Sequence, residues 1–160
     1  MTYLDIILFG PLVFVSVQIP ISRCQNPLKM STPIEPLSGW KRTHDCGSLG
    51  LENLGEQVIL MGWVATRRDH GGVIFIDLRD RYGISQAVFN PQHSQAAHAK
   101  ADQVRNEYVV AVRGIVERRP EGMVNPRLGT GAIEINCDDL RILNASRPSP
   151  FPLDESVEVG

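Results

Sequence analysis

From Gln57 to Leu143 the chain repeats one device: a short β-type run, then a turn rich in Gly, Asp or Pro, with helical spacing in only one place. The first run is Gln57 to Arg68 (QVILMGWVATRR), where Gly62 predicts a bulge or a sharp coil of the strand. Asp69-His70-Gly71-Gly72 reads as a hairpin turn into a second run, Val73 to Arg79. Asp80-Arg81-Tyr82-Gly83 turns into a third, Ile84 to Asn90, which Pro91 stops. Ser94 to Arg105 is Ala-rich and opens on a Ser that can cap it, so it is the one convincing helix. A fourth run, Tyr108 to Glu117, and a fifth, Ala132 to Leu143 with an interruption near Cys137, flank a loop carrying Pro120, Gly122, Pro126, Gly129 and Gly131.

Open strand edges invite unwanted pairing, so several short strands favour closure. Three strands, a helix, then two strands is the order of an OB-fold. The expected class is all-β: a five-stranded OB-fold Greek-key barrel with one helix between strands 3 and 4, plugging one barrel end. A generic small barrel or an α+β sheet are the plainer alternatives.

The 160 residues supply one domain's worth of chain or a little more. The 16 Lys and Arg against 18 Asp and Glu give a net charge of -2, which excludes a basic protein that coats nucleic acid. A local basic face on a balanced domain stays open. Expected boundaries are a leader and linker over 1–39, the barrel over 40–145 and a tail over 146–160. Ile6 to Ile21 is apolar but broken by Pro11 and Pro20, and no Lys or Arg precedes it. It is short for a membrane span and lacks a signal peptide's basic start. Residues 1–29 therefore read as an appendage, with Met30 as a second plausible start. Residues 30–50, rich in Pro, Ser and Gly, read as a linker with a short lead-in. Cys24, Cys46 and Cys137 form no C-x-x-C pair, which suits a reducing compartment, and a cytoplasmic location without membrane attachment is expected. His44, His70, His93 and His98 do not cluster with them at zinc spacing, so no metal site is expected.

Alternation places the chemistry. Ile74, Ile76 and Leu78 make an apolar face, while Val73, Phe75, Asp77 and Arg79 make the opposite one. Glu134 lies outward between Ile133 and Ile135, and Gln86 opposes Ala87 and Phe89. An outward aromatic beside Arg, Gln and Glu suits an unpaired base, which stacks on the ring while the polar groups meet its edge. Arg67, Arg68, Arg79 and Arg81 can hold phosphates. Phe75 as a core residue and Arg68 as a solvated strand end fit the alternation equally well. Asp77 and Asp80 read as a strand ion pair with Arg79 or Arg81 and a turn cap. His93 and His98 read as exposed helix residues, and no catalytic motif is present.

The string GWVATRRDHGGVIFIDLRDRYGISQAVFNP (62–91) is longer and more specific than any of these signals. So are VRNEYVVAVRGIVERRPEGMVNP (104–126), GAIEI (131–135) and PFPLDE (150–155), with Arg42-Thr43-His44-Asp45-Cys46-Gly47 as lead-in. Together, Trp40 to Glu155 closely resembles the N-terminal anticodon-binding domain of bacterial aspartyl-tRNA synthetases. The resemblance implies an OB-fold that binds the tRNA anticodon loop. Phe75 would stack on an anticodon base, Arg68, Gln86 and Glu134 would bond base edges, and Arg119 and Asn125 would add contacts. His70 with Gly122 is similar to members that charge both tRNA-Asp and tRNA-Asn, which implies relaxed reading of the third base. The parent family is an aspartate–tRNA ligase, a homodimer using ATP and Mg²⁺ on a separate catalytic domain. Nothing in these residues matches that domain, so this chain is expected to bind tRNA without a cofactor or catalytic residue of its own. In that setting 146–160 is the hinge toward the catalytic domain. The alternative is a free-standing OB-fold protein that binds single-stranded nucleic acid without sequence choice.

Overall fold

Alternating branched apolar side chains set the strands. In the computed structural model, which describes residues 34–146, β1 spans Gln57–His70, β2 Val73–Arg79, β3 Ile84–Phe89, β4 Val109–Arg118 and β5 Ile133–Asn144. One helix, α1 (Gln95–Gln103), lies between β3 and β4. The strands close into a barrel in the order β1-β2-β3-β5-β4, with β1 against β4, β3 parallel to β5 and every other pair antiparallel. This is the expected five-strand, one-helix barrel, with each strand within a residue or two of its predicted span.

β1 serves two neighbours. Gln57 to Trp63 pairs with β4, and Trp63 to His70 pairs with β2. Gly62 sits where the strand passes from one to the other, and a Cβ there would run into the Arg79 carbonyl. The register shift expected at Gly62 falls instead between Val64 and Thr66, leaving Ala65 as the extra residue. Gly62 is thus a close-approach glycine rather than the bulge itself. The β1–β2 hairpin turns in two residues, Gly71 and Gly72, whose φ angles of 61° and 81° suit glycine and match the twist of the flanking strands. β5 runs unbroken past Cys137 and shifts register there, with Arg113 opposite Asp139 and Gly114 opposite Cys137.

The core is the inward set of these strands. Ile74, Ile76 and Leu78 of β2 are fully buried, with Val58, Leu60 and Val64 of β1 and Ile133 and Ile135 of β5. The fully buried residues of α1 are the small Ala97 and Ala101, so its backbone can come close to the barrel. Its N-cap Ser94 accepts from the Ala97 N–H at 3.2 Å and donates to the Asp138 carbonyl at 3.0 Å. His98, expected to be exposed, is half-buried, and its Nε2 has no hydrogen-bond partner among the described residues.

The stretch before β1, read in sequence as a linker, is laid on the barrel from residue 34 onward. The Glu35 N–H donates to the Ile142 carbonyl, and Thr43 exchanges hydrogen bonds with Ile59. The Arg113 and Arg141 guanidiniums stack on the Trp40 ring, 5.2 and 4.3 Å from its centre. Cys46 and Cys137 are free thiols; burial pushes both up, Cys46 to about 12 with Asp80 adding to the shift. The apolar run Ile6 to Ile21, Cys24, Met30 and the tail from 147 lie outside the described residues. Among the described residues no helix is long and apolar enough to cross a membrane.

Asp80 joins the lead-in to the β2–β3 turn. Its carboxylate accepts from the backbone N–H groups of Tyr82 at 2.7 Å, Gly83 at 3.0 Å and Cys46 at 2.8 Å. Burial opposes its charge, yet these three donors and Arg42 hold its carboxyl below the usual range. A lowered folded value contributes stability above the ordinary Asp range, lost as pH falls through that value. Asp80→Asn is expected to destabilise the barrel by about 1–3 kcal/mol near pH 7, from weakened charge-assisted bonds. Urea melts across pH should show the gap closing toward acid; a gap independent of pH would refute this role.

Candidate nucleic-acid interface

The outer face of the barrel follows from the register. Phe75 of β2 stands opposite Arg68 of β1 on one side and Val88 of β3 on the other. Two residues along, Asp77 stands between Thr66 and Gln86. Across the parallel β3–β5 pair, Ala87 aligns with Ile135 and Val88 with Asn136, which sets Gln86 beside Glu134. Glu134 in turn faces Glu117 of β4. Arg68, Phe75, Asp77, Gln86 and Glu134 therefore share one outward face, which alternation predicted for Glu134 and left open against a core position for Phe75. Phe75 is half-buried, while Ile74 and Ile76 on either side of it are in the core.

The extra residue at Ala65 puts Arg68 on this face. Before the shift the even-numbered residues of β1 face the core, as Val58, Leu60 and Val64 do. A strand's faces alternate with period two, so one inserted residue exchanges them. Beyond it, Arg67 turns toward α1, donating to the Ala101 carbonyl at 3.3 Å and to Asp102 at 2.7 Å. Arg68 turns outward, and its Nη2 lies 2.9 Å from both oxygens of Asp77. Asp77 thus pairs with Arg68, not with Arg79 or Arg81 as the sequence suggested, because Arg68 is its neighbour across the hairpin. Arg79 pairs with Glu107 at 3.4 Å, and Arg81 stacks over Tyr82.

Glu134 is half-buried, and the Gln86 Nε2 donates to it at 3.4 Å. Burial pushes its carboxyl up, Arg119 opposes this and Glu117 adds to it. Like charges opposite each other on a sheet are unfavourable, and the Asn136 Nδ2 donates to Glu117 at 3.1 Å. Arg119 is only 5% exposed; its Nε donates to the Ile133 carbonyl at 2.8 Å, and its Nη2 is buried with no partner among the described residues. Burial lowers its guanidinium's affinity for a proton, Glu134 and Asp77 restore part of it, and Arg68 works with burial.

Three predicted site residues stand apart from this cluster. Asn125 lies in the loop between β4 and β5, where its side chain accepts from the Arg127 N–H at 3.1 Å and its N–H donates to the Gly131 carbonyl. Gly122, in the same loop, has a left-handed φ of 84°. His70 is exposed at the hairpin end of β1, opposite Val73. No hydrogen bond among the described residues ties any of the three to Phe75 or Glu134. Sequence reasoning passed over Glu117 and Asn136, since only strand register sets them beside Glu134. Among the described residues no group of three or more His, Cys, Asp or Glu could hold a metal ion.

Comparison with known proteins agrees with this architecture. A profile of the tRNA anti-codon family, described as an OB-fold nucleic acid binding domain, matches residues 58–143. The chain is 56% identical over 126 residues to the aspartate–tRNA(Asp/Asn) ligase of Syntrophotalea carbinolica, covering 79% of this chain and 21% of that protein. It is 58% identical over 130 residues to the ligase of the same name from Desulfotalea psychrophila, covering 81% and 21%. The chain thus spans about a fifth of the length of these relatives. Among solved structures it resembles the asparaginyl-tRNA synthetase of Pyrococcus horikoshii in complex with asparaginyl-adenylate. There the TM-score is 0.59 at 30% identity, covering 70% of this chain and 24% of that one. The profile match begins one residue inside β1 and ends one residue short of the end of β5, so it takes in the whole barrel, and the chain belongs to the tRNA anti-codon family of OB-fold nucleic acid binding domains.

Proposed function

We propose that this chain reads the anticodon loop of tRNA, as the recognition module of an aspartate–tRNA ligase acting on tRNA-Asp and tRNA-Asn. The observation that carries this reading is the half-buried Phe75 ring between Arg68 on one neighbouring strand and the Gln86–Glu134 pair beyond the other. An unpaired base stacks on the ring while its edge meets a guanidinium, an amide and a carboxylate. Arg119, near enough for its charge to act on Glu134, would supply one further donor. Asn125, which stabilises the β4–β5 loop, would add a contact through its amide. The resemblance to members that charge both tRNA-Asp and tRNA-Asn supports a part for His70 and Gly122 in how strictly the third base is read. In the family that the chain resembles, aminoacylation with ATP and Mg²⁺ would take place on a separate catalytic domain, which would also carry part of the homodimer contacts. The module works in the cytoplasm, where charged tRNA is consumed.

Three measurements test this reading. Stacking of one base is worth roughly 1–3 kcal/mol, so Phe75→Ala should weaken binding to the tRNA-Asp anticodon stem-loop about 5- to 150-fold. Glu134→Ala should also weaken it. Wild-type affinity in both variants would remove the site assignment. Equal affinity for oligo-dT, with steep salt dependence, would instead identify an indiscriminate single-strand binder.

Glu134 also makes a stability prediction. A carboxyl raised above its unfolded value contributes fully below the ordinary Glu range, and that contribution is lost as pH rises through the folded value. Glu134→Gln should therefore raise the melting temperature at pH 7 while weakening stem-loop binding, with the thermal gain shrinking toward pH 4. A melting temperature lowered at pH 7 would contradict it. Finally, His70→Leu should shift the ratio of affinities for the tRNA-Asp and tRNA-Asn stem-loops, which differ at the third anticodon base; an unchanged ratio would clear His70 of that role.

A further inference from the structure

Arg68 and Asp77 differ in setting. The arginine side chain is 54% exposed and the aspartate only 20%, so the carboxylate is the fixed member of the pair. Asp77 lies on a strand paired on both sides, directly opposite Gln86, while Arg68 projects near the end of the β1–β2 hairpin. Only the Nη2 of Arg68 is engaged, held 2.9 Å from each carboxylate oxygen. Its Nε and Nη1 have no hydrogen-bond partner among the described residues. A long exposed arginine normally loses rotamer freedom when it binds, and that loss weakens binding. Here one terminal nitrogen is already anchored, and two donors remain for a ligand beside the Phe75 ring.

We propose that Asp77 is a positioning residue for nucleic-acid recognition: it holds the Arg68 guanidinium beside Phe75 with Nε and Nη1 free for an RNA base edge or phosphate. This rests on the reading that the Phe75 face binds an anticodon loop. The consequence runs against simple charge counting. A carboxylate on an RNA-facing surface repels phosphate, so removing its charge should strengthen binding if charge were its only effect. As a positioning residue, Asp77 strengthens binding despite its charge.

Asp77→Asn keeps the shape and removes the anchoring charge. Using the full chain and a tRNA-Asp anticodon stem-loop, Asp77→Asn is expected to weaken binding roughly 3- to 10-fold, the range for immobilising one flexible side chain on association. In the Arg68→Ala background the same change should weaken nothing. In the free protein, side-chain nitrogen NMR should show the Arg68 guanidinium resonances resolved in wild type and averaged by rotation in Asp77→Asn. Thermal melts establish that each variant is folded, and Asp77→Glu, which retains the carboxylate, should recover part of the affinity. Tighter binding by Asp77→Asn would overturn the inference, as would an equal loss with Arg68 absent. A wild-type chain that fails to bind the stem-loop would overturn the anticodon reading itself, whereas loss of binding in Phe75→Ala with tighter binding in Asp77→Asn would overturn only the positioning role.

Discussion

A β-strand has two faces and a period of two, and much of this molecule turns on one place where β1 breaks that period. The extra residue at Ala65 divides β1 into a half whose even-numbered side chains line the core and a half whose even-numbered side chains face outward. Without it, Arg68 would be directed at the barrel interior and Arg67 away from the helix. With it, Arg67 clamps the C-terminal end of α1 and Arg68 joins Phe75 and Asp77. The anchoring of the helix and the make-up of the outward face around Phe75 are thus set by the same backbone irregularity. Gly62, three residues earlier, lets β1 pass from one partner strand to the other at close range.

The face itself is not arranged for stability. Two carboxylates stand opposite each other on β4 and β5, one of them half-buried. The Arg119 guanidinium, whose charge acts on Glu134, is almost fully buried, with one nitrogen unpaired among the described residues. Buried polar groups without partners are costly, and like charges facing each other across a sheet add to the cost. Such features persist where they serve recognition, since donors and acceptors already desolvated and oriented lose less on binding than those that must be stripped of water and ordered. The apolar side of the same strands, with fully buried Ile74, Ile76, Ile133 and Ile135, offsets this local cost.

How legible this was in the chain varies with the range of the interactions. The strands, the hairpin turn and the helix cap are local and could be read from alternation, paired glycines and a Ser before an Ala-rich run. The outward placement of Glu134 followed from the same alternation, while that of Phe75 fitted it no better than a core position did. What could not be read depends on partners distant in sequence. The position of the β1 shift is set by two different neighbours, so Gly62 drew the prediction that Ala65 fulfils. Asp77 was assigned to nearby arginines because its true partner lies across a hairpin. Glu117 and Asn136 carry no motif and acquire meaning only once β4, β5 and β3 are in register. His98 was read as solvent-exposed because a helix face cannot be oriented without knowing which strands it covers.

The lead-in carries a different lesson. Glu35, Trp40, Thr43 and Cys46 are joined to β5, β4, β1 and the β2–β3 turn respectively, through backbone hydrogen bonds, a ring stacked with two guanidiniums, and the Asp80 carboxylate. They work as an external brace that crosses the strands rather than extending any of them. The span that defines the family by sequence, 58–143, is consequently smaller than the unit that holds itself together. An excised barrel cut to those limits would lose ties to most of its strands at once, although no strand of the barrel itself would be missing. Autonomy of folding in this module therefore resides partly in residues that carry no strand pattern at all.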